Sequence, residues 1–276
     1  MNHWFEERTG AGNASGHQLR ETMSDLLWLA RSLASAPRMY AILGEGNVSV
    51  RLDDHELLIK ASGTMLARST EQGMVRVDLA RAHALTDPAL TTDELVGAAL
   101  RATLLDTGAT ARPSVETAVH AVLIAEAGAR WVAHTHPPTM LGVLCSERAE
   151  ALAAGSLFPD QIVICGPNPL FLPYHDPGVP LARALQAALA THMSAHGGPP
   201  KAIYLANHGF IALGHSSAEV LAITDMAVKA AAALTLAFAS GGPRYLPEAE
   251  ARRITERADE HYRQGVLGLA PLTGAS

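Results

Sequence analysis

Leu19, Met23, Leu26, Leu27, Ala30 and Leu33 recur at three- and four-residue spacing with polar residues between them, which predicts an amphipathic helix over residues 18–35. After Ala36-Pro37 the period changes. The segments 42–52 (ILGEGNVSVRL) and 55–63 (HELLIKASG) read as two strands joined at the polar turn Asp53-Asp54, and GMVRVDLA around Val75 reads as a third. Thr92-Asp93-Glu94 opens a helix whose stop signal is Gly108, and Ser114, preceded by Pro113, opens another that Gly128 closes. RWVAHTH is a strand ended by Pro137-Pro138, with a helix starting near Thr139. QIVIC (161–165) reads as a short buried strand followed by a proline-rich loop over 167–178. A helix over 181–196, strands over 201–209 and 210–214, a long helix over 216–240 and a solvated charged helix over 248–263 complete the pattern.

Strands and helices interleave, yet the first strands are hairpin-like. That predicts a three-layer α/β/α domain around a mainly antiparallel sheet rather than a doubly wound dinucleotide fold. No repeat or boundary splits the chain, so residues 18–276 are expected to form one domain with a C-terminal helical extension. The polar, glycine-rich stretch TGAGNASG makes residues 1–17 an expected flexible tail.

A formal charge of −6 leaves no basic footprint, which argues against nucleic acid as a partner. The two cysteines, Cys145 and Cys165, have no Cys-x-x-Cys spacing and fit a reducing cytoplasm as small apolar side chains. No secretory leader is visible, and the apolar stretch from Met226 is interrupted by Lys229, so no membrane span is expected. The expected setting is cytoplasmic, with a small-molecule substrate.

The chemistry concentrates on a few positions. His134 and His136 stand one residue apart at the end of a predicted strand, where side chains i and i+2 point the same way and both imidazoles can aim at one divalent metal. Glu116 lies upstream in RPSVE, in the first turn of its predicted helix, and His208 follows the apolar run AIYLA beside Gly209. His120, one turn beyond Glu116, could hydrogen-bond it but reads as a structural residue. The turns Gly44-Glu45-Gly46-Asn47 and Ser62-Gly63-Thr64 could cradle an anion with backbone N–H groups, although neither has P-loop or Rossmann spacing.

In their order, GEGNVSV, ASGT, RPSVE, HTH and NHG resemble the class II aldolase/adducin family over roughly residues 19–240. That family includes fuculose and rhamnulose phosphate aldolases, ribulose-phosphate 4-epimerases and decarboxylases. The resemblance implies that His134, His136 and His208 ligate a divalent metal, with Glu116 as a further ligand or the acid/base. It implies that Asn47, Ser62, Gly63 and Ser114 hold a substrate phosphate. It also implies the α/β/α fold and a homo-oligomer, commonly a tetramer. Zinc is the expected ion because three imidazoles suit it, with manganese, cobalt or iron(II) as alternatives.

Two departures stand out. Ser114 is followed by Val115 where the sugar-phosphate aldolases often carry a second serine, and no tyrosine lies between Trp131 and Pro173 to serve as their proton donor. The expected reaction is a metal-dependent C–C cleavage through an enediolate, with retro-aldol cleavage of a sugar (phosphate) ketose ahead of decarboxylation of a hydroxylated or β-keto acid. An iron oxygenase, usually two histidines and a carboxylate, fits the third histidine less well. A non-catalytic adducin-like scaffold would be expected to lose the ligands that are present here.

Overall fold

Along the strands, successive side chains enter two different apolar clusters, and this alternation sets the layers. The structure is a computed structural model that describes residues 13–106, 108 and 110–266. Seven strands form one sheet: β1 (Asn47–Arg51), β2 (Glu56–Lys60), β3 (Met74–Asp78), β4 (Trp131–Thr135), β5 (Leu170–Leu172), β6 (Ala202–Leu205) and β7 (Gly209–Gly214), in the order β3-β2-β1-β4-β7-β6-β5. Every neighbouring pair is antiparallel except β5 with β6. Val48, Val50, Trp131, Ala133, Tyr204 and Phe210 point into one cluster, while Ile59, Val75, Val132, Ile203 and Ile211 point into the other.

The first cluster is closed by α1 (Asn13–Leu33), α5 (Pro138–Leu144), α6 (Pro159–Cys165), α8 (Ser217–Ala239) and α9 (Glu248–Thr255). The second is closed by α2 (Leu79–His83), α4 (Thr117–Ala125) and α7 (Val179–His196), with α3 (Asp93–Ala102) packed at its margin. The three-layer architecture read from the sequence is therefore the observed one. Local signals place several boundaries as expected: Thr92 caps α3 by accepting from the Leu95 N–H, and Gly197, left-handed at φ 74°, ends α7.

Other boundaries differ for physical reasons. QIVIC is helix α6, not a strand. Pro159 and Asp160 favour a helix start, and all five residues are buried, so no polar face shows the period. Helix α3 stops at Ala102 instead of running to Gly108, because Leu104 bridges Val77 and the Leu105 N–H donates to Arg76 O, extending cover along edge strand β3. Helix α4 begins at Thr117 rather than Ser114, since Ala61 pairs with Pro113 and holds the preceding residues in a turn. The proline-rich loop contains β5.

Helix α1 starts at Asn13, inside the stretch expected to be a tail; residues 1–12 lie outside the described residues. Helix α8 is, by length and composition alone, long and apolar enough to cross a membrane, and here it packs on the first cluster through Val220, Ile223, Ala227 and Leu234. The charged C-terminal segment is two helices, α9 and α10 (Ala258–Val266). Both are anchored: Ile254 is buried, and the Gln264 side-chain amide donates to Val163 O on α6 at 2.9 Å.

The register that matters most sets Asn47 of β1 opposite His134 of β4. Gly46, just before β1, makes that approach possible: its φ is 67°, and a Cβ there would stand 2.9 Å from His134 O. Gly46→Ala should therefore destabilise the chain by about 1–3 kcal/mol, read as a lower urea midpoint at unchanged m-value. A midpoint equal to that of the parent would refute the close packing of β1 on β4.

Candidate metal centre

Three imidazoles and one carboxylate converge at the end of β4. His134 is the penultimate residue of β4, His136 follows the strand directly, and His208 stands in the three-residue turn between β6 and β7, so that a potential ligand atom from each lies within 4.8 Å of the others. The ring centroids are 4.7, 4.8 and 5.3 Å apart. Glu116, the residue just before α4, reaches in from the helical layer. Its Oε2 is 3.5 Å from His134 Nε2 and its Oε1 is 3.3 Å from His208 Nε2. Glu116 makes no capping hydrogen bond with its own helix, so the carboxylate is directed to the histidines instead.

Two residues shape the turn that carries His208. Asn207, not Gly209, adopts the left-handed backbone, with φ 53°. Gly209 serves close approach: a Cβ there would lie 2.6 Å from both His136 Cδ2 and Thr135 O.

Hydrogen bonds fix which nitrogens face inward. His134 Nδ1 lies 3.1 Å from the carbonyl of Phe210, and His136 Nδ1 lies 3.3 Å from Glu45 Oε2. Both partners only accept, so each Nδ1 carries the proton and each Nε2 presents a lone pair. Those two Nε2 atoms are 2.8 Å apart. Two lone pairs at that distance repel unless a positive charge lies between them. Glu116 Oε1 and His208 Nδ1 are, in addition, buried without hydrogen-bond partners. The donor set therefore fits a divalent cation: neutral imidazoles and an ionised carboxylate are the forms that ligate.

The electrostatics run the same way. Burial pushes His134 down to about 3, against the opposing pull of Glu116, and lowers His136 as well. Burial acts to raise Glu116, but its proximity to His134 and His208 and the hydrogen bond from Asn47 outweigh it and hold the carboxyl well below its usual range. At neutral pH His134 and His136 are uncharged and the carboxylate is ionised.

The residues expected to hold a phosphate divide into two groups. Asn47 and Ser114 are buried and turned toward Glu116: Asn47 Nδ2 donates to Glu116 Oε2 at 2.7 Å, and Ser114 Oγ accepts from the Glu116 N–H at 3.3 Å. Ser62 and Gly63 lie on an exposed turn, with Gly63 at φ 77°, and the Ser62 N–H is taken by Arg112 O at 2.8 Å. The His120 ring meets Asn47 and Ser49 rather than the Glu116 carboxylate, while the His120 backbone N–H donates to Glu116 O at 3.2 Å.

The sequence reading passed over two residues. Glu45 was seen only as part of a glycine turn, yet it orients His136, and Ile42 N in turn donates to its other oxygen at 2.7 Å. Lys60 is 2% exposed and ties the two glycine turns together by donating to Gly44 O at 3.2 Å and Thr64 O at 2.6 Å. A lysine directly after the apolar run Leu57-Leu58-Ile59 of β2 is the available signal. Burial lowers its pKa, with Glu116 opposing.

Three histidines and one carboxylate thus gather at the end of a strand in a mainly antiparallel α/β/α sheet. The chain belongs to the class II aldolase and adducin N-terminal domain family, whose model matches residues 25–235. It is 24% identical over 223 residues to a 3-oxo-tetronate 4-phosphate decarboxylase of Haemophilus influenzae, covering 80% of this chain and 90% of that one. Among solved structures it resembles the N-terminal class II aldolase domain of a Thermoplasma acidophilum protein, at 25% identity over 76% of this chain and 91% of that one, with TM-score 0.58. An L-fuculose 1-phosphate aldolase has the same fold, at 18% identity over 85% of this chain and 94% of that one, with TM-score 0.64.

Metal analysis tests the centre directly. Purified protein should carry about one divalent ion per chain, and His134→Ala or His136→Ala should lose it. Glu45→Gln should keep the ion but weaken its binding about 10-fold in chelator competition, through the loss of His136 orientation. Full metal content in both histidine variants would eliminate the site.

Proposed function

We propose that the chain is a metal-dependent carbon–carbon lyase acting on a small hydroxy-keto substrate, with the reaction centred on Glu116 and the His134, His136 and His208 cluster. The observation that carries this reading is the convergence of three inward-facing imidazoles on one buried carboxylate. A divalent cation bound there, zinc as the first choice, would supply Lewis acidity to a substrate carbonyl as negative charge develops beside it.

Within that class, decarboxylation of a hydroxylated 3-oxo acid becomes the first reading. The bond to the carboxylate breaks, carbon dioxide leaves, the electron pair stays on the substrate carbon, and that carbon takes up one proton. The departing fragment asks nothing of the protein. Retro-aldol cleavage, the first expectation from the sequence, also requires removal of a hydroxyl proton as the aldehyde departs, hence a second acid/base group. No tyrosine lies between Trp131 and Pro173, and Tyr174 is exposed and hydrogen-bonded to Asp176 at 2.9 Å. Likeness to the decarboxylase supports the same order.

Glu116 is the proton carrier on either route. Ionised at rest, it can collect a proton from substrate or water and return it to carbon. Asn47 steadies one of its oxygens, while the other faces the histidines. Ser114 and the Ser62-Gly63 turn are proposed to meet the substrate's polar end, with the exposed Val115 beside them. A cytoplasmic setting and a homo-oligomer, tetrameric by resemblance, belong to the same proposal; light scattering on purified protein tests the assembly.

The deciding experiment assays phosphorylated and unphosphorylated hydroxy-3-oxo acids alongside ketose 1-phosphates, with metal-loaded protein. Carbon dioxide release is the expected result; aldehyde release from the ketoses alone would move the assignment to the aldolase reading. Turnover of neither panel would overturn the lyase. Glu116→Gln should cut kcat on the active substrate by about 100-fold or more with metal still bound. Unchanged turnover would remove Glu116 from the chemistry.

A further inference from the structure

Behind the carboxylate lies a buried polar chain that the reaction itself does not use. On β1, Asn47 and Ser49 occupy alternate positions and so project to one face, opposite to Val48 and Val50, which enter the first apolar cluster. On the helical layer that covers this face, Glu116 and His120 stand one turn apart at the start of α4. The two pairs interlock. Ser49 Oγ and His120 Nδ1 are 2.6 Å apart, His120 Nε2 bonds Asn47 Oδ1, and Asn47 Nδ2 donates to Glu116 Oε2 at 2.7 Å. Ser49 and His120 are fully buried and Asn47 is 3% exposed, so water does not replace these partners.

The direction of each bond follows from chemistry. Asn47 Oδ1 only accepts, so His120 Nε2 carries the ring proton. A neutral imidazole carries one ring proton, and with that proton on Nε2 its Nδ1 accepts from the Ser49 hydroxyl. Donation therefore runs one way, from Ser49 through His120 and Asn47 to Glu116. The two ends of an amide are nearly the same shape, and only the N–H end is compatible with an ionised carboxylate. Holding Asn47 Oδ1 on His120 fixes the amide the right way round, and each bond polarises the next.

We infer that His120 is a positioning residue, which acts through Asn47 to hold Glu116 Oε2 and leave Oε1 turned to the histidine cluster. This rests on the metal-centre reading above but not on whether carbon dioxide or an aldehyde is released.

The test is a double-mutant cycle read by Co2+ affinity in chelator competition, which needs no substrate, and then by kcat. His120→Phe keeps the packing but removes the donor, and should weaken Co2+ binding about 10-fold and lower kcat about 10- to 100-fold, with KM changed less. His120→Gln can place an amide N–H near the same point and should stay within about 3-fold of the parent. In an Asn47→Ala background, adding His120→Phe should change affinity by less than about 2-fold, because the path is already cut. Equal losses in the Gln and Phe variants, or additive losses in the double variant, would overturn the positioning role. Should His120→Phe not fold, Ser49→Ala enters the same cycle with an expected loss of about 3-fold, and additivity there overturns the inference equally. A parent protein that binds no Co2+ would sink the metal centre and this inference together; binding with an additive cycle would sink only the inference.

Discussion

Two unprotonated imidazole nitrogens face each other across 2.8 Å, and much of the local architecture exists to hold them there. Left to themselves, His134 and His136 would turn apart or share a proton. Phe210 O on β7 and the Glu45 carboxylate each take the outer proton of one ring, which commits the inner nitrogens to lone pairs. Burial then keeps both rings neutral, and Glu116 supplies the negative charge that makes a cation the natural occupant. Sheet pairing, turn glycines and helix placement can all be read as means of sustaining this confrontation.

The supports come from both sides of β4. On one side β1 brings Asn47 alongside His134, with Gly46 allowing the chains to meet. On the other, the β6–β7 turn projects His208, with the Asn207 N–H held by Leu144 O at 3.0 Å and Gly209 admitting the rings of His134 and His136. The carboxylate arrives from a different layer, at the point where the chain stops being a turn and becomes α4. Such a site requires the sheet and the helix above it to be correct together.

Much of this was legible in the sequence because periodicity and spacing carry it. Short runs bounded by polar turns marked β1, β2 and β3; the His-x-His spacing placed two imidazoles on one side of β4; and the order of short motifs named the family that the matched model defines. What escaped shares a physical cause. Residues Gln161–Cys165 are buried on all sides, so their period is invisible, and only Pro159 could have marked a helix. The helix start at Thr117 depends on a bridge between Ala61 and Pro113, a contact made far away in sequence. Glu45 and Lys60 looked like turn and strand residues because their partners, His136 and two loop carbonyls, become neighbours only after folding.

The ligand set also has a meaning for the chain as a polymer. His136 and His208 belong to different segments with several helices and strands between them, and Glu116 comes from a third. A cation held by all three closes large loops, much as a disulfide does, and so removes conformational freedom from the unfolded ensemble. Any ion that binds the folded site and not the open chain also shifts the folding equilibrium by mass action. A cation bound there would thereby act as a clasp between the sheet and the α4 layer.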